Sequence, residues 1–268
     1  MQQDPVAYPR RYARPADQEV AAFLASALAY GRADVARQTV ERLLALGGND
    51  LAGYVLDFHP RRELPRFHGL RHRLSTGRDL ACLVFFLRQA LERYGTLGRL
   101  FLEGYRESHE NTLPALARFV EFFRRLDPAP VYGRRMYPQG LLHFFPDPRK
   151  GSACKRLHLF LRWMVRSGDG VDLGLWPEIP ARKLLVPLDT HVARLSRHLG
   201  LVSHRTPSGR TACALTQAFS RLEPEDPLKY DFALCHYGMS GACPPTPEPG
   251  HCRRCLLRLA CRAAAGSA

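Results

Sequence analysis

Lysine is the conspicuous shortage in this chain. Lys150, Lys155, Lys183 and Lys229 are the whole supply, so arginine provides nearly all of the 39 basic residues, set against 25 acidic ones for a net charge of +14. A guanidinium is planar and grips phosphate oxygens through two parallel hydrogen bonds, which an ammonium cannot do. The surplus therefore suits a polyanionic partner, although a GC-rich genome enriches arginine with no partner involved. Long apolar runs are missing too: none approaches the ~18 residues that a membrane-crossing helix needs. The first 19 residues lack the apolar core of an export signal. No basic amphipathic helix stands apart at either end to lie on an anionic membrane. These absences lead to the expectation of a soluble, cytoplasmic protein with no membrane partner. Period-two alternation is also absent, so strands are not expected and the fold class is all-α. No repeat is visible at solenoid periods. The 268 residues, 46% of them hydrophobic, are enough for one large domain or two small helical lobes.

What is present is helical periodicity. Asp17 is a candidate N-cap for the almost wholly apolar stretch VAAFLASALAY, which ends near Gly31 and should be buried. After Asp79, residues Leu80, Leu83, Val84, Leu87, Leu91 and Tyr94 form a 3.6-residue stripe. Pro114 is placed to open a helix through Leu116, Phe119, Val120 and Phe123. Further stripes run Leu157 to Val165, Val192 to Leu199 with Gly200 as C-cap, and Ala212 to Leu222. Pro227 is expected at the first position of a helix running through Phe232. Two stretches, 127–151 and 167–188, are rich in Pro, Gly and aromatics. Long irregular segments inside a domain are often functional. These two are read either as connectors or, given their aromatics, as the lining of a cleft.

Eight cysteines are unevenly spread. Cys82, Cys154 and Cys213 fall within helical patterns as small buried hydrophobes. Cys243, Cys252, Cys255 and Cys261 crowd into 19 positions with gaps of eight, two and five residues. Four thiolates this close can converge on one centre, and the Cys-x2-Cys turn brings two to the same side. Zinc ribbons use two such knuckles and this chain has one, yet zinc stays a possible occupant. Cys235 lies on a probable helix (KYDFALCHYG) as a packing or spare thiol. His251, Arg253, Arg254, Arg258 and Arg262 make the segment basic, which fits either a DNA backbone or a solvated rim.

Asp189 sits in VPLDTHVARL, immediately before a helical stripe, where a carboxylate caps a helix N-terminus. Gly151-Ser152-Ala153-Cys154-Lys155 opens another helix, and free backbone N–H groups at such a start hold anions. Arg162 and Arg166 share the face of Lys155, which is expected to be a basic face.

Three of these features resemble the helix-hairpin-helix (HhH-GPD) DNA glycosylase superfamily. VPLDTHVARL followed by LGLV is similar to its VDTHV-x-R…LG segment, the Gly151–Lys155 turn to its hairpin, and the Cys-x2-Cys-x5-Cys tail to the iron–sulfur loop of endonuclease III-type members. The buried stretch ending Tyr30-Gly31-Arg32 is similar to its first core helix. The resemblance implies a two-lobed helical fold, with 33–150 as one lobe, 17–32 and 151–234 as the lobe carrying hairpin and aspartate, and 235–268 as the cluster loop. It implies a monomeric, nucleoid-associated bacterial protein that cleaves a damaged base from double-stranded DNA. Asp189 takes the place of the catalytic aspartate, and Lys155 that of the nucleophilic lysine of members that also cut the strand. The four cysteines stand where the family's ligands hold a [4Fe–4S] cluster. Gly151, Ser152, Ala153, Arg162, Arg194, Arg253 and Arg254 are the expected DNA contacts. Trp163, Trp176 and Phe144, with Phe145 and Tyr137, are candidates for stacking on a flipped base. Three other readings stay open: a non-catalytic binder of damaged DNA, an enzyme acting on structured RNA, and a zinc-stapled interaction protein.

Overall fold

Where each helix starts follows from local chemistry. A proline at the first helical position gives up no hydrogen bond and is preset in φ. Pro15 does this for α1 (Pro15–Ala27), so α1 begins two residues before Asp17. Asp17 is therefore not the N-cap expected from the sequence. It is buried in the first turn, accepting the Ala52 N–H at 2.8 Å and N–H groups from Nε and Nη2 of Arg14. α5 (Gly77–Tyr94) starts with a reciprocal capping box between Thr76 and Asp79, and its apolar stripe is buried as expected.

The structure, a computed structural model, describes residues 4–204 and 206–265. Between α1 and α5 lie α2 (Ala33–Leu44), α3 (Leu51–Leu56) and α4 (Pro60–Glu63). After α5 come α6 (Leu97–Leu102), α7 (Leu113–Arg125), α8 (Ala129–Tyr132) and α9 (Gln139–Leu142). Then follow α10 (Lys155–Val165), α11 (Thr190–His198), α12 (Gly209–Ser220), α13 (Asp231–Met239), α14 (Pro249–Arg254) and α15 (Arg262–Ala265). Among the described residues, strand is confined to β1 (Arg71–His72) and β2 (Ser75–Thr76), antiparallel with Arg71 opposite Thr76. The protein is thus mostly helical, as its periodicity requires. None of the described helices is long and apolar enough to cross a membrane. Pro227 does not open a helix: residues 227–230 form a turn, and α13 starts at Asp231.

The chain divides into two compact units, Met1–Asp147 with Trp163–Glu178 and Pro148–Arg162 with Ile179–Ala268. The first unit is centred on aromatic rings. Phe23 of α1 stacks on Phe123 at 5.9 Å and meets Phe119 edge-on, and Phe123 stacks on Phe145 at 4.7 Å. Each buried ring adds about 1.5–3 kcal/mol through the apolar area it hides. α1 therefore belongs with these helices and not with the hairpin segment, contrary to the division expected from the sequence. A buried carboxylate joins the same core. Glu19 accepts N–H groups of Leu97 and Gly98 at the start of α6, at 2.7 and 2.9 Å, and the Trp176 indole N–H at 2.8 Å. Burial still holds its pKa above the ordinary carboxylate value.

The second unit carries Lys155–Arg162 of α10, with α11, α12, α13 and the cysteine segment. α13 lies directly against α11. Gly238 makes that approach possible, since a Cβ there would stand 2.7 Å from Cβ of His191. The Gly238 carbonyl in turn accepts from Arg194 at 3.1 Å and lies 2.9 Å from Nδ1 of His191.

Candidate functional site

Asp189 is the N-cap of α11, as its sequence context requires. Its extended backbone lets Oδ1 accept the Val192 N–H at 2.8 Å, one of the donors that a helix start leaves unpaired. That leaves Oδ2 for other work. Lys155 Nζ lies 3.7 Å from Oδ2, and the Cys235 thiol donates to the same oxygen at 3.3 Å. The Lys155 side chain is 34% exposed and that of Asp189 11%. The lysine end of the pair thus reaches solvent, while the carboxylate is largely covered.

Lys155 is the first residue of α10, and the turn before it is unusual. Gly151 adopts φ +77°, and Cys154, which is not glycine, adopts φ +43°. A left-handed non-glycine residue costs of order 1–3 kcal/mol and persists only where its surroundings enforce it. Here the Cys154 N–H donates to Ser152 Oγ at 3.2 Å, and the Gly209 N–H at the start of α12 donates to the Gly151 carbonyl at 3.0 Å. Gly209 passes so close that a Cβ would stand 3.0 Å from the Ser152 carbonyl oxygen. Gly151 is exposed, and Ser152 and Ala153 are half-buried. The turn expected to meet a phosphate is therefore open to one.

Behind Asp189 lies a second charged pair. Arg162 Nη1 meets Asp231 Oδ2 at 2.8 Å, with the two side chains only 3% and 4% exposed. This corrects the expected basic face. Arg162 is turned inward to neutralise a carboxylate, so it is not a DNA contact. Arg166 is likewise buried, paired with Asp169 at 2.6 Å and with Asp172. Burial pushes the Asp231 carboxyl up to about 6 against the pull of Arg162, with Asp189 adding a push of its own. Burial, then the nearby carboxylates, raises the Cys235 thiol well above its ordinary value, so it remains a protonated donor to Asp189. The sequence marks Cys235 only as a packing or spare thiol and gives Asp231 no role. The signal available was their i, i+4 spacing, which puts both on one face of α13.

The expected base-stacking residues are not gathered here. Trp163, Trp176, Phe144 and Phe145 are buried in the first unit, where Trp176 is held by Glu19 and Phe145 by Phe123. Tyr137 donates its hydroxyl to the carbonyls of Leu126 and Phe123. These aromatics fill a core, and none is available to a flipped base. The segments 127–151 and 167–188 thus contribute packing, contrary to the cleft lining weighed for them. Cys82 and Cys154 are buried as expected, whereas Cys213 is half-buried.

Cys243, Cys252, Cys255 and Cys261 do converge. All four are free thiols, and all line one small hollow together with His198 and His251. Polar groups lie close to two of the sulfurs. The Leu257 N–H reaches Cys255 Sγ at 3.4 Å, Tyr237 Oη lies 3.1 Å from the same sulfur, and His198 Nδ1 lies 3.3 Å from Cys243 Sγ. Burial and the charges of Arg194 and Arg197 lower the His198 pKa, so the ring stays neutral at pH 7. Among the described residues, no three of His, Cys, Asp and Glu close tightly enough to hold a single ion. Four thiols around one hollow are a donor set that suits a metal centre, zinc or iron–sulfur alike. Arg253 and Arg254 project to solvent from α14. Arg194 is drawn instead towards the Gly238 carbonyl, and burial raises the Cys243 thiol above its ordinary value despite the nearby Arg194 charge.

Residues 4–240 match the model of a family described as a protein of unknown function, DUF2400. No curated protein and no solved structure matches the chain.

Proposed function

We propose that this chain, which belongs to the DUF2400 family, is a DNA glycosylase that removes a damaged base from duplex DNA. The observation that carries the proposal is the pairing of Asp189 Oδ2 with Lys155 Nζ at 3.7 Å, beside an open turn at the start of α10. Arg253, Arg254 and the excess of arginine supply the phosphate contacts.

The chemistry follows from the charges. A base inside a duplex is out of reach, so the nucleotide is extruded before reaction. Breaking the bond between base and sugar builds positive charge on the sugar ring, which a fixed carboxylate stabilises. Asp189 is fixed, because Oδ1 is held by α11 while Oδ2 is left to face the sugar. Asp189 is also the acceptor for a proton of Lys155. The freed amine attacks the anomeric carbon as the base departs with the bonding electron pair and takes the proton back from Asp189, which is then a carboxylate again, and the sugar opens to a Schiff base on Lys155 as the attacking nitrogen passes a proton to the ring oxygen. A protein in which Lys155 only neutralises Asp189 uses water as the nucleophile and leaves the strand whole.

Cys243, Cys252, Cys255 and Cys261 are the residues that would hold a [4Fe–4S] cluster. Bound there, the cluster ties the C-terminal segment together, contributing folding free energy and electron-transfer capacity. In this reading Arg253 and Arg254, both exposed, track a DNA backbone.

The test is incubation with duplexes that each carry one lesion, with borohydride present. A protein–DNA adduct that is lost in Lys155→Ala and kept in Lys183→Ala supports the lysine route. Base release without an adduct supports water. Tight binding of a lesion duplex with no release from any member of the panel contradicts the glycosylase and favours a lesion-binding protein.

A further inference from the structure

α13 (Asp231–Met239) turns one face to a buried charged pair and leaves an apolar face uncovered. Asp231 and Cys235 turn towards Arg162 and Asp189. On the other side Ala233 is exposed, and Leu234 and Tyr237 are only half-buried. Here the uncovered face forms the floor of a groove of about 400 Å³ whose walls are almost entirely apolar. Leu201, Phe219 and Leu222 form one side and Leu256 and Leu257 of the cysteine segment the other. Leu222 is 62% exposed and Leu256 87%. Clustered exposure of large apolar side chains marks an interaction site, whereas scattered single ones need no explanation.

The charges beside the groove say what fills it. Arg221 adjoins Leu222 and Arg258 follows Leu257; both are exposed, and neither pairs with a carboxylate among the described residues. The nearby acid Glu223 is neutralised by Lys229 at 2.6 Å. A second copy of the chain, itself at +14, would bring the same arginines against each other across a two-fold contact. Nucleic acid matches the arginines but leaves its phosphates against a dry apolar wall. We propose that this groove docks an amphipathic helix of a partner protein, with aliphatic residues on one face and carboxylates on the other, the helix-in-groove mode of recognition. The groove lies behind α13, away from Asp189, so the proposal stands independently of the reaction assigned above.

The test uses the full chain and fluorescent peptides of one composition. One peptide carries leucines at i, i+3, i+4 and i+7 opposite glutamates, a second has those residues shuffled out of register, and a third has lysine in place of glutamate. Anisotropy is expected to show the first binding at least about tenfold tighter than either control, a difference of about 1.4 kcal/mol. Leu222→Asp and Leu256→Asp abolish that preference. Both sites are exposed, so both variants keep the wild-type circular dichroism. Arg258→Glu weakens the acidic peptide and strengthens the lysine one. Equal binding of all three peptides, no binding of any, or binding unchanged in Leu222→Asp overturns the proposal. So does a dimer in sedimentation that Leu256→Asp dissociates, which assigns the groove to a second copy.

Discussion

Replacing Asp231 with asparagine keeps the shape of the buried pair and removes one of its charges. Arg162 and Asp231 meet at 2.8 Å with almost no exposure, so solvent cannot screen the loss. Removing one partner of such a pair costs about 3–5 kcal/mol, whereas replacing both with apolar residues of similar volume is neutral or stabilising. Asp231→Asn is therefore expected to destabilise the protein by roughly 3–5 kcal/mol. Arg162→Met combined with Asp231→Leu is expected to recover most of that loss, giving a large coupling in the double-mutant cycle. Urea titrations at pH 7.5 followed by far-ultraviolet circular dichroism measure both quantities. A cost below about 1 kcal/mol, the range of an exposed pair, would refute the buried-pair reasoning. So would a double variant no better than the single one.

Other expectations concern titration and metal. His158 is buried, its Nδ1 has no hydrogen-bond partner among the described residues, and burial lowers its pKa to about 4. The unfolded chain takes up this proton near pH 6.5 and the folded one only near 4. The contribution of His158 to stability is therefore complete above pH 6.5 and lost as pH falls towards 4, by about 3 kcal/mol. Measured against His158→Phe, the stability difference should be flat above pH 6.5 and fall by that amount below; parallel profiles rule this out. Protein purified without oxygen should be brown and contain iron and acid-labile sulfide, both lost in Cys255→Ser. A colourless protein with one zinc per chain would assign the cysteines to zinc instead.

Much of the fold was legible because it is written in local signals. The stripes ending at Tyr94, Val165 and Leu199 have the period of a helix face, and Asp189 stands where a helix start needs an acceptor. The convergence of the four cysteines was legible for the same reason, since their spacing allows little else. Long-range partners were not. Arg162 shares the face of Lys155 along α10, and only Asp231, 69 positions away, turns that face inward. Trp176 reads as a loop aromatic until Glu19, 157 positions earlier, claims its indole. The placement of α1 with α7 rests on Phe23 meeting Phe119 and Phe123, contacts that no local pattern encodes. Cys235 reads as a packing or spare thiol because its partner Asp189 lies on a different helix.

Asp189→Asn tests the central claim most directly. Asparagine caps a helix as well as aspartate, so α11 stays folded, while the negative charge and the acceptor that faces Lys155 and Cys235 are lost. On a duplex carrying a lesion that the wild-type protein excises, the variant is expected to bind with unchanged affinity. Single-turnover release of the base should slow at least about a hundredfold. Release at the wild-type rate would contradict a catalytic role for this carboxylate, and with it the enzyme proposed.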